Sequence, residues 1–300
     1  MALLPDASPY REPSEKYTVA QVLFRATQIL SAEGTFSSPR LDAEVLLSHA
    51  AGWTRTEIHT RLTDQLPASF ARLFWDLLEK RREGVPVAYL IGWREFYSRR
   101  FKVAPSVLIP RPETEFLVEH ALELLEQTPG PTTALDLCCG SGCIGITLAL
   151  ETLSTSLVCS DVSDEALHLT SENVAYFGLE ERVEVRRSDL FSALNKQAFD
   201  LIVSNPPYVG TEFGPRPEPE VDRYEPGLAL YSGRYGTDHL IEIVKRAPLY
   251  LIEGGSLVVE CASFQAETVE AWMVDIGFQQ TCLWHDLSGL PRGVSGRWEG

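Results

Sequence analysis

From Thr132 onward the chain alternates short apolar runs with segments of helical period, and this rhythm constrains the fold more than any other feature. Strands are expected at 134–137, 156–159, 183–187, 199–204, 256–261 and 279–284, with helices over 144–150 and 164–177. Strand–helix alternation of this kind builds a mostly parallel sheet covered on both faces, an α/β fold. Ligands in such folds bind at the carboxyl ends of the strands, near the point where the strand order reverses.

The preceding residues read differently. Residues 17–84 carry helix start and stop signals. Thr18 and Gln21 have capping-box spacing, and Val22, Leu23, Ala26, Ile29 and Leu30 then line one face up to Gly34. Ser38–Pro39 opens a second helix that Gly52 ends, and Thr54 with Glu57 opens a third. Phe70, Leu73, Phe74, Leu77 and Leu78 recur with helical period on a fourth. This is a small helical bundle whose residues suggest docking rather than chemistry. Between 85 and 107 aromatic and β-branched residues predict a short hairpin, and Thr211 to Asp222, rich in proline and acids, reads as a long mobile loop.

Charge and cysteine usage narrow the function classes. Forty-two acidic against 26 basic residues give a formal net charge of -16, which suits a basic protein partner better than a polyanion, and no direct nucleic-acid contact is expected. The six cysteines contain no C-x-x-C pair, and Cys138, Cys139 and Cys143 crowd together, so free buried thiols of a reducing cytosol are expected and no metal site. Met1 to Lys16 carries prolines and charges without an apolar core, and no apolar run reaches the roughly 18 residues of a membrane span, so a cytoplasmic chain without membrane association is expected.

Two motifs carry chemistry. The first is Asp136-Leu-Cys-Cys-Gly140-Ser-Gly142-Cys-Ile-Gly145, between a strand and a helix, with Asp161 at the end of the next strand. Its glycines admit a ligand close to the backbone, and a carboxylate at Asp161 can accept both hydroxyls of a ribose. A dinucleotide and S-adenosyl-L-methionine both fit that pair. Asp136 favours the second, because a carboxylate beside this loop repels a pyrophosphate and suits a cationic ammonium and sulfonium.

The second motif is Asn205-Pro206-Pro207-Tyr208, directly after the strand at 199–204. Two prolines cannot continue a central strand, so the chain turns out at the carboxyl edge, as a site requires. An amide nitrogen is a poor nucleophile because its lone pair is delocalised, so it must be aimed at the methyl carbon. The Asn205 side-chain oxygen and the Pro206 carbonyl can accept its two N–H hydrogens, and Tyr208 can pack on the flat group. Between the motifs, Ser188-Asp189-Leu190-Phe191 offers an acid to an adenine amino group and an apolar cover, or else a helix cap.

With these residues in view, the chain resembles the HemK/PrmC-type protein-glutamine N5-methyltransferases. The likeness runs through Pro86-Val-Ala-Tyr-Leu-Ile-Gly92, Glu95-Phe96, Leu108-Ile-Pro-Arg-Pro-Glu-Thr-Glu115, both motifs, Glu225-Pro226, Gly233, Gly236 and Asp286-Leu-Ser-Gly289 with Arg292. The resemblance implies a helical substrate-recognition domain at 1–84 and a β-hairpin linker at 85–110. It implies a seven-stranded class I (Rossmann-like) methyltransferase domain at 111–300. Methyl transfer from S-adenosyl-L-methionine, leaving S-adenosyl-L-homocysteine, to the glutamine of the Gly-Gly-Gln motif in peptide chain release factors is the implied activity.

By position, Asp136, Cys138, Cys139, Gly140, Ser141, Gly142, Asp161, Asp189, Leu190 and Asn205 would hold the donor. Asn205, Pro206, Pro207 and Tyr208 would hold the glutamine. Arg111 and Glu113 would shape the entrance or form a linker salt bridge. Two departures stand out: Cys138 replaces the family's first loop glycine and asks for an ordinary φ, and Glu260-Cys-Ala-Ser-Phe-Gln265 lacks the usual intervening glycine. Competing readings are N6-adenine methylation of nucleic acid through the same N-P-P-Y, and a non-catalytic adaptor that binds the donor.

Overall fold

The structure is a computed structural model that describes residues 17–195 and 197–300. The reading of Met1 to Lys16 lies outside the described residues. The chain divides after Gly92 into two units.

The first unit is helical, with α1 (Val19–Glu33), α2 (Pro39–Ala51), α3 (Arg55–Thr60), α4 (Ala68–Arg82) and α5 (Val87–Ile91). Both expected capping boxes form: Thr18 and Gln21 exchange hydrogen bonds at the start of α1, and Thr54 and Glu57 do so at α3. Leu23, Ala26, Leu30, Leu46, Leu47, Phe74 and Leu78 fill the core between the helices. Two acids are drawn inside against arginines. Glu44 accepts from Arg40 and Arg55, and Asp42 pairs with Arg81 at 2.8 Å. The hairpin expected from residue 85 begins later, because Pro86 presets the first turn of α5 and Gly92 ends it.

The second unit opens with the hairpin β1 (Trp93–Phe96) and β2 (Arg99–Lys102). Then follow α6 (Thr114–Glu126), β3 (Thr132–Leu137), α7 (Cys143–Glu151), β4 (Thr155–Asp161), α8 (Asp164–Phe177), β5 (Val183–Arg187) and β6 (Phe199–Ser204). The short α9 (Pro219–Tyr224) and α10 (Gly227–Leu230) precede α11 (Asp238–Arg246), β7 (Leu251–Glu260), α12 (Ala266–Ile276), β8 (Gln279–His285) and β9 (Pro291–Arg297). The expected loop at 211–222 therefore ends in a helix, with Pro219 at its first turn.

Seven strands form one sheet in the order β5-β4-β3-β6-β7-β9-β8, parallel from β5 to β7 and antiparallel at β9 and β8. Successive residues of each central strand point to opposite faces. Ala134, Leu157, Leu201 and Val258 meet α6, α7 and α8, whereas Leu135, Val158, Ile202 and Leu257 meet α11 and α12. Helices thus cover both faces, as a parallel sheet requires.

Candidate active site

The strand order reverses between β3 and β6, and both chemical motifs leave the sheet there. The two strands run parallel with Leu137 opposite Ser204, and the Ser204 hydroxyl donates to the Leu137 carbonyl across 2.6 Å. The glycine loop after β3 and the prolyl turn after β6 consequently emerge side by side. On the other flank β4 delivers Asp161, whose Oδ2 accepts from the Gly140 amide at 3.0 Å and whose Oδ1 accepts from the Ser163 amide at 3.0 Å.

A cleft of about 480 Å³ opens along this edge. Cys138, Cys139, Gly140, Ser141, Asp161, Asp189, Leu190 and Asn205 all line it. Its walls carry the carboxylates Asp161, Glu165 and Asp189 against one arginine, Arg111. That arginine is already engaged: its Nη2 meets Glu225 Oε1 at 2.5 Å, and Glu225 Oε2 takes the Ile109 amide. A wall with this charge favours a cationic ligand and opposes a pyrophosphate. Arg111 is therefore both a cleft residue and a salt-bridge partner.

A second cavity of about 240 Å³ adjoins the first and is lined by Pro206, Tyr208, Gly210, Arg216 and Phe264 among others. The two share Leu108, Arg111, Asn205 and Ala229 as walls. Pro207 faces the larger cleft and Pro206 the smaller, so the N-P-P-Y turn is the partition between them.

Three expected donor residues sit elsewhere or behave differently. Asp136 is fully buried behind the loop, where its Oδ2 accepts from the Gly145 amide at 2.8 Å and Oδ1 has no partner. Desolvation pushes its pKa up to about 7, with only the Gly145 amide pulling it back. It fastens α7 to the strand and does not line the cleft. The same close approach explains Gly145, where a Cβ would fall 2.6 Å from Cys159 Sγ. Gly142 caps α7 beneath the cleft rather than on its wall.

Cys138 corrects an expectation about the backbone. Its φ is +63°, the left-handed conformation that glycine adopts freely, so the loop has kept its geometry and the cysteine adapts to it. Leu190, also at positive φ (45°), lines the cleft, while Phe191 is buried against Tyr250 with ring centroids 4.7 Å apart. Among the described residues no helix lies between β5 and β6, so neither Ser188 nor Asp189 is a helix cap: the Ser188 hydroxyl accepts from the Ala193 amide within a turn, and Asp189 lies on the cleft wall.

Glu113 lines neither cavity and stands instead near Glu260 and Arg292. Glu260 was noted in the sequence only as part of a motif. It is 3% exposed, takes the Tyr208 hydroxyl at 3.2 Å, and burial pushes its pKa up to about 7. The same burial, with Glu260 beside it, holds the Tyr208 phenol well above its ordinary value. Thr114, inside the Ile-Pro-Arg-Pro-Glu-Thr-Glu segment, accepts from Asn205 Nδ2 at 3.1 Å. The turn missing its usual glycine forms with Ala262 in place: Gln265 Oε1 takes the Ala262 amide at 3.0 Å. The Asp286 segment is a tight turn whose carboxylate accepts from the Ser288 and Leu290 amides and from Arg292 at 2.7 Å.

Comparison with known proteins accords with this architecture. Residues 21–92 match the PrmC N-terminal domain family, and residues 113–212 match the methyltransferase small domain family. The release factor glutamine methyltransferase of Rhodopirellula baltica is 38% identical over 93% of this chain and 96% of its own length. The enzyme of that name from Geobacter sulfurreducens is 37% identical over 95% of this chain and 99% of its own. The chain belongs to the release factor glutamine methyltransferase family.

Some relatives in that family are longer. The bifunctional methyltransferase of Rickettsia typhi is 33% identical over 93% of this chain, which spans 57% of that protein. In fold, the chain is similar to a methyltransferase from Pyrococcus furiosus, with a TM-score of 0.50 and 13% identity, covering 73% of this chain and 98% of that one. A similar fold occurs in the T. thermophilus 16S rRNA N2 G1207 methyltransferase, with a TM-score of 0.51 and 17% identity, covering 69% of this chain and 49% of that one. Among the described residues, no helix of the chain is long and apolar enough to cross a membrane.

Proposed function

We propose that this chain transfers a methyl group from S-adenosyl-L-methionine to the side-chain amide nitrogen, N5, of the glutamine in the Gly-Gly-Gln motif of a peptide chain release factor. The observation that carries this reading is the position of Asn205, a residue that lines both cavities. An amide entering from the smaller cavity and a donor in the larger cleft would meet at that residue.

The residues of the larger cleft fit a cationic donor. Asp161 has a lone pair on each oxygen beyond the two backbone amides it already accepts, which suits a pair of ribose hydroxyls. When bound, the donor supplies an electrophilic methyl carbon on a positively charged sulfur. Asp189 and Leu190 would hold and cover its adenine ring, with Cys138 to Ser141 against the rest.

The chain's own contribution is orientation. Because Asn205 Nδ2 is committed to Thr114, Oδ1 is left to accept an N–H of the glutamine carboxamide. The Pro206 carbonyl accepts the other, and Tyr208 packs on the planar group. Held so, the nitrogen lone pair points along the sulfur–carbon axis. The new nitrogen–carbon bond forms as the carbon–sulfur bond breaks, with its electron pair going to sulfur. Positive charge builds on nitrogen and strengthens both hydrogen bonds. The amide N–H then becomes acidic enough to lose its proton without a dedicated strong base. The helical unit at the N-terminus serves to recognise the release factor.

Incubation of a Gly-Gly-Gln-containing release factor with the protein and the donor, followed by peptide mapping by mass spectrometry, tests this. One methyl group on the motif glutamine is expected; an unmodified glutamine, or methyl groups only elsewhere, rejects it.

A further inference from the structure

The end of β7 grips the prolyl turn at two levels. Gln265 Nε2 donates to the backbone carbonyl of Tyr208 at 3.1 Å and to those of Tyr235 and Gly236 at 3.3 and 3.2 Å. Glu260 holds the turn through side chains. Its Oε1 takes the Tyr208 hydroxyl, its Oε2 is buried with no hydrogen bond of its own, and the Thr114 hydroxyl stands close enough to favour the ionised carboxyl. Thr114 is itself 2% exposed and already accepts from Asn205 Nδ2.

The polarity of this arrangement follows from counting protons. In its ionised form, which its pKa of about 7 makes available toward and above neutral pH, the Glu260 carboxyl can only accept. Thr114 accepts from Asn205, so its single hydroxyl proton is left to give, and the unpartnered Glu260 oxygen is the buried acceptor beside it. An ionised acceptor there favours a Thr114 hydroxyl turned toward it, so that the donors point the same way, from Asn205 to Thr114 and from Thr114 toward Glu260. That direction decides which end of the Asn205 amide faces the cavities. Were Thr114 to donate to Asn205 instead, the amide would turn over and present NH₂ where an acceptor is needed.

We propose that Glu260 is a positioning residue for methyl transfer, acting through the Thr114 hydroxyl to orient Asn205 Oδ1 toward the incoming carboxamide and through the Tyr208 hydroxyl to set the other end of the turn. This inference rests on the proposed reading of the site. It also assigns a role to the Glu260-to-Gln265 segment, whose acid fixes side-chain direction while its glutamine fixes the backbone.

The test uses the full chain, S-adenosyl-L-methionine and a Gly-Gly-Gln release factor, comparing wild type with Thr114→Val, Thr114→Ser and Glu260→Gln. Val keeps the shape of Thr but removes the hydroxyl; Ser keeps the hydroxyl. Misplacing a group that orients a reacting atom lowers kcat by about tenfold or more without touching donor binding. Thr114→Val and Glu260→Gln should therefore lose at least about tenfold in kcat, while donor affinity by calorimetry stays within about twofold and Thr114→Ser keeps most of the rate. Unchanged kcat in Thr114→Val or in a folded Glu260→Gln, an equal loss in Thr114→Ser, or a parallel loss of donor affinity overturns the inference. The Thr114 pair decides the matter even if Glu260→Gln fails to fold. Absence of methylation by wild type overturns the functional reading, and this inference with it.

Discussion

Asn205 Nδ2 donates to Thr114 Oγ1 across 3.1 Å, although the two residues stand 91 positions apart in the chain. The contact joins the turn after β6 to the first residue of α6. Since α6 is packed on the sheet through Leu117, Val118 and Ala121, the asparagine is referred to a rigid element rather than to its own loop. A side chain held this way keeps a fixed acceptor in front of both cavities.

Replacing Asn205 by Ala should remove that acceptor while leaving the other walls of the donor cleft in place. A loss of about 10²–10³-fold in kcat is expected, the usual cost of deleting one preorganised group at a reacting centre. Donor affinity, read by calorimetry, should change little. Methyl transfer at the wild-type rate would remove Asn205 from the mechanism.

Asp161 holds the loop and faces the ligand at the same time. Asp161→Ala is expected to weaken donor binding by about tenfold or more, and tenfold corresponds to about 1.4 kcal/mol. Some destabilisation should accompany it, because the Gly140 and Ser163 amides lose their acceptor. Calorimetry giving wild-type affinity would refute the ribose assignment.

Cys138 occupies a left-handed conformation at a price of roughly 1–2 kcal/mol for a residue with a Cβ. Cys138→Gly removes most of it, less the greater entropy of glycine in the unfolded chain, for a net gain of up to about 1 kcal/mol. The Tm of the variant should rise by roughly 2–4 °C for a unit of this size. An unchanged or lower Tm would mean that the cysteine side chain contributes packing that outweighs the strain.

The buried Asp136 makes stability depend on pH in a definite direction. Its folded pKa is raised toward about 7, so the folded state holds a proton that the unfolded chain gives up near the ordinary carboxylate value. The contribution is fully present below that ordinary value and is lost as pH rises through about 7. Asp136→Asn cannot ionise, so its Tm relative to wild type should improve between pH 5 and pH 8. A constant difference across that range would show that the carboxyl does not titrate as described.

Much of this was legible in the sequence, for physical reasons. A strand buried on both faces is an apolar run, and the one at 199–204 coincides with β6; the alternating run at 183–187 coincides with the edge strand β5. The strand β9 was not legible. Its sequence, Pro-Arg-Gly-Val-Ser-Gly-Arg, has little β propensity, and its place between β7 and β8 depends on Gly293, where any Cβ would meet Trp284 and the Val259 carbonyl within about 2.2 Å. Packing decides that strand, and packing is not local. The amphipathic α11 also went unread, beyond the stretch at 211–222 that proline and acidic residues mark as loop.

The site divides along the same line. The residues of the loop and turn are recognisable because their chemistry sits in consecutive positions. Thr114 and Glu260 are not, because their roles arise from strand order and register that bring α6 and the end of β7 to one turn. Asp136 shows the converse: its residue type suggested a ligand contact, whereas its depth in the sheet makes it a structural fastener.

The central claim is that donor and amide approach from separate cavities and meet at Asn205. Its most direct measurement is a crystal structure of the protein with S-adenosyl-L-homocysteine and a Gly-Gly-Gln peptide. The account predicts the homocysteine sulfur in the larger cleft, the glutamine carboxamide reaching from the smaller one, and Asn205 Oδ1 within hydrogen-bonding distance of its nitrogen. A glutamine side chain lodged away from Asn205, or both ligands entering through one cavity, would contradict it.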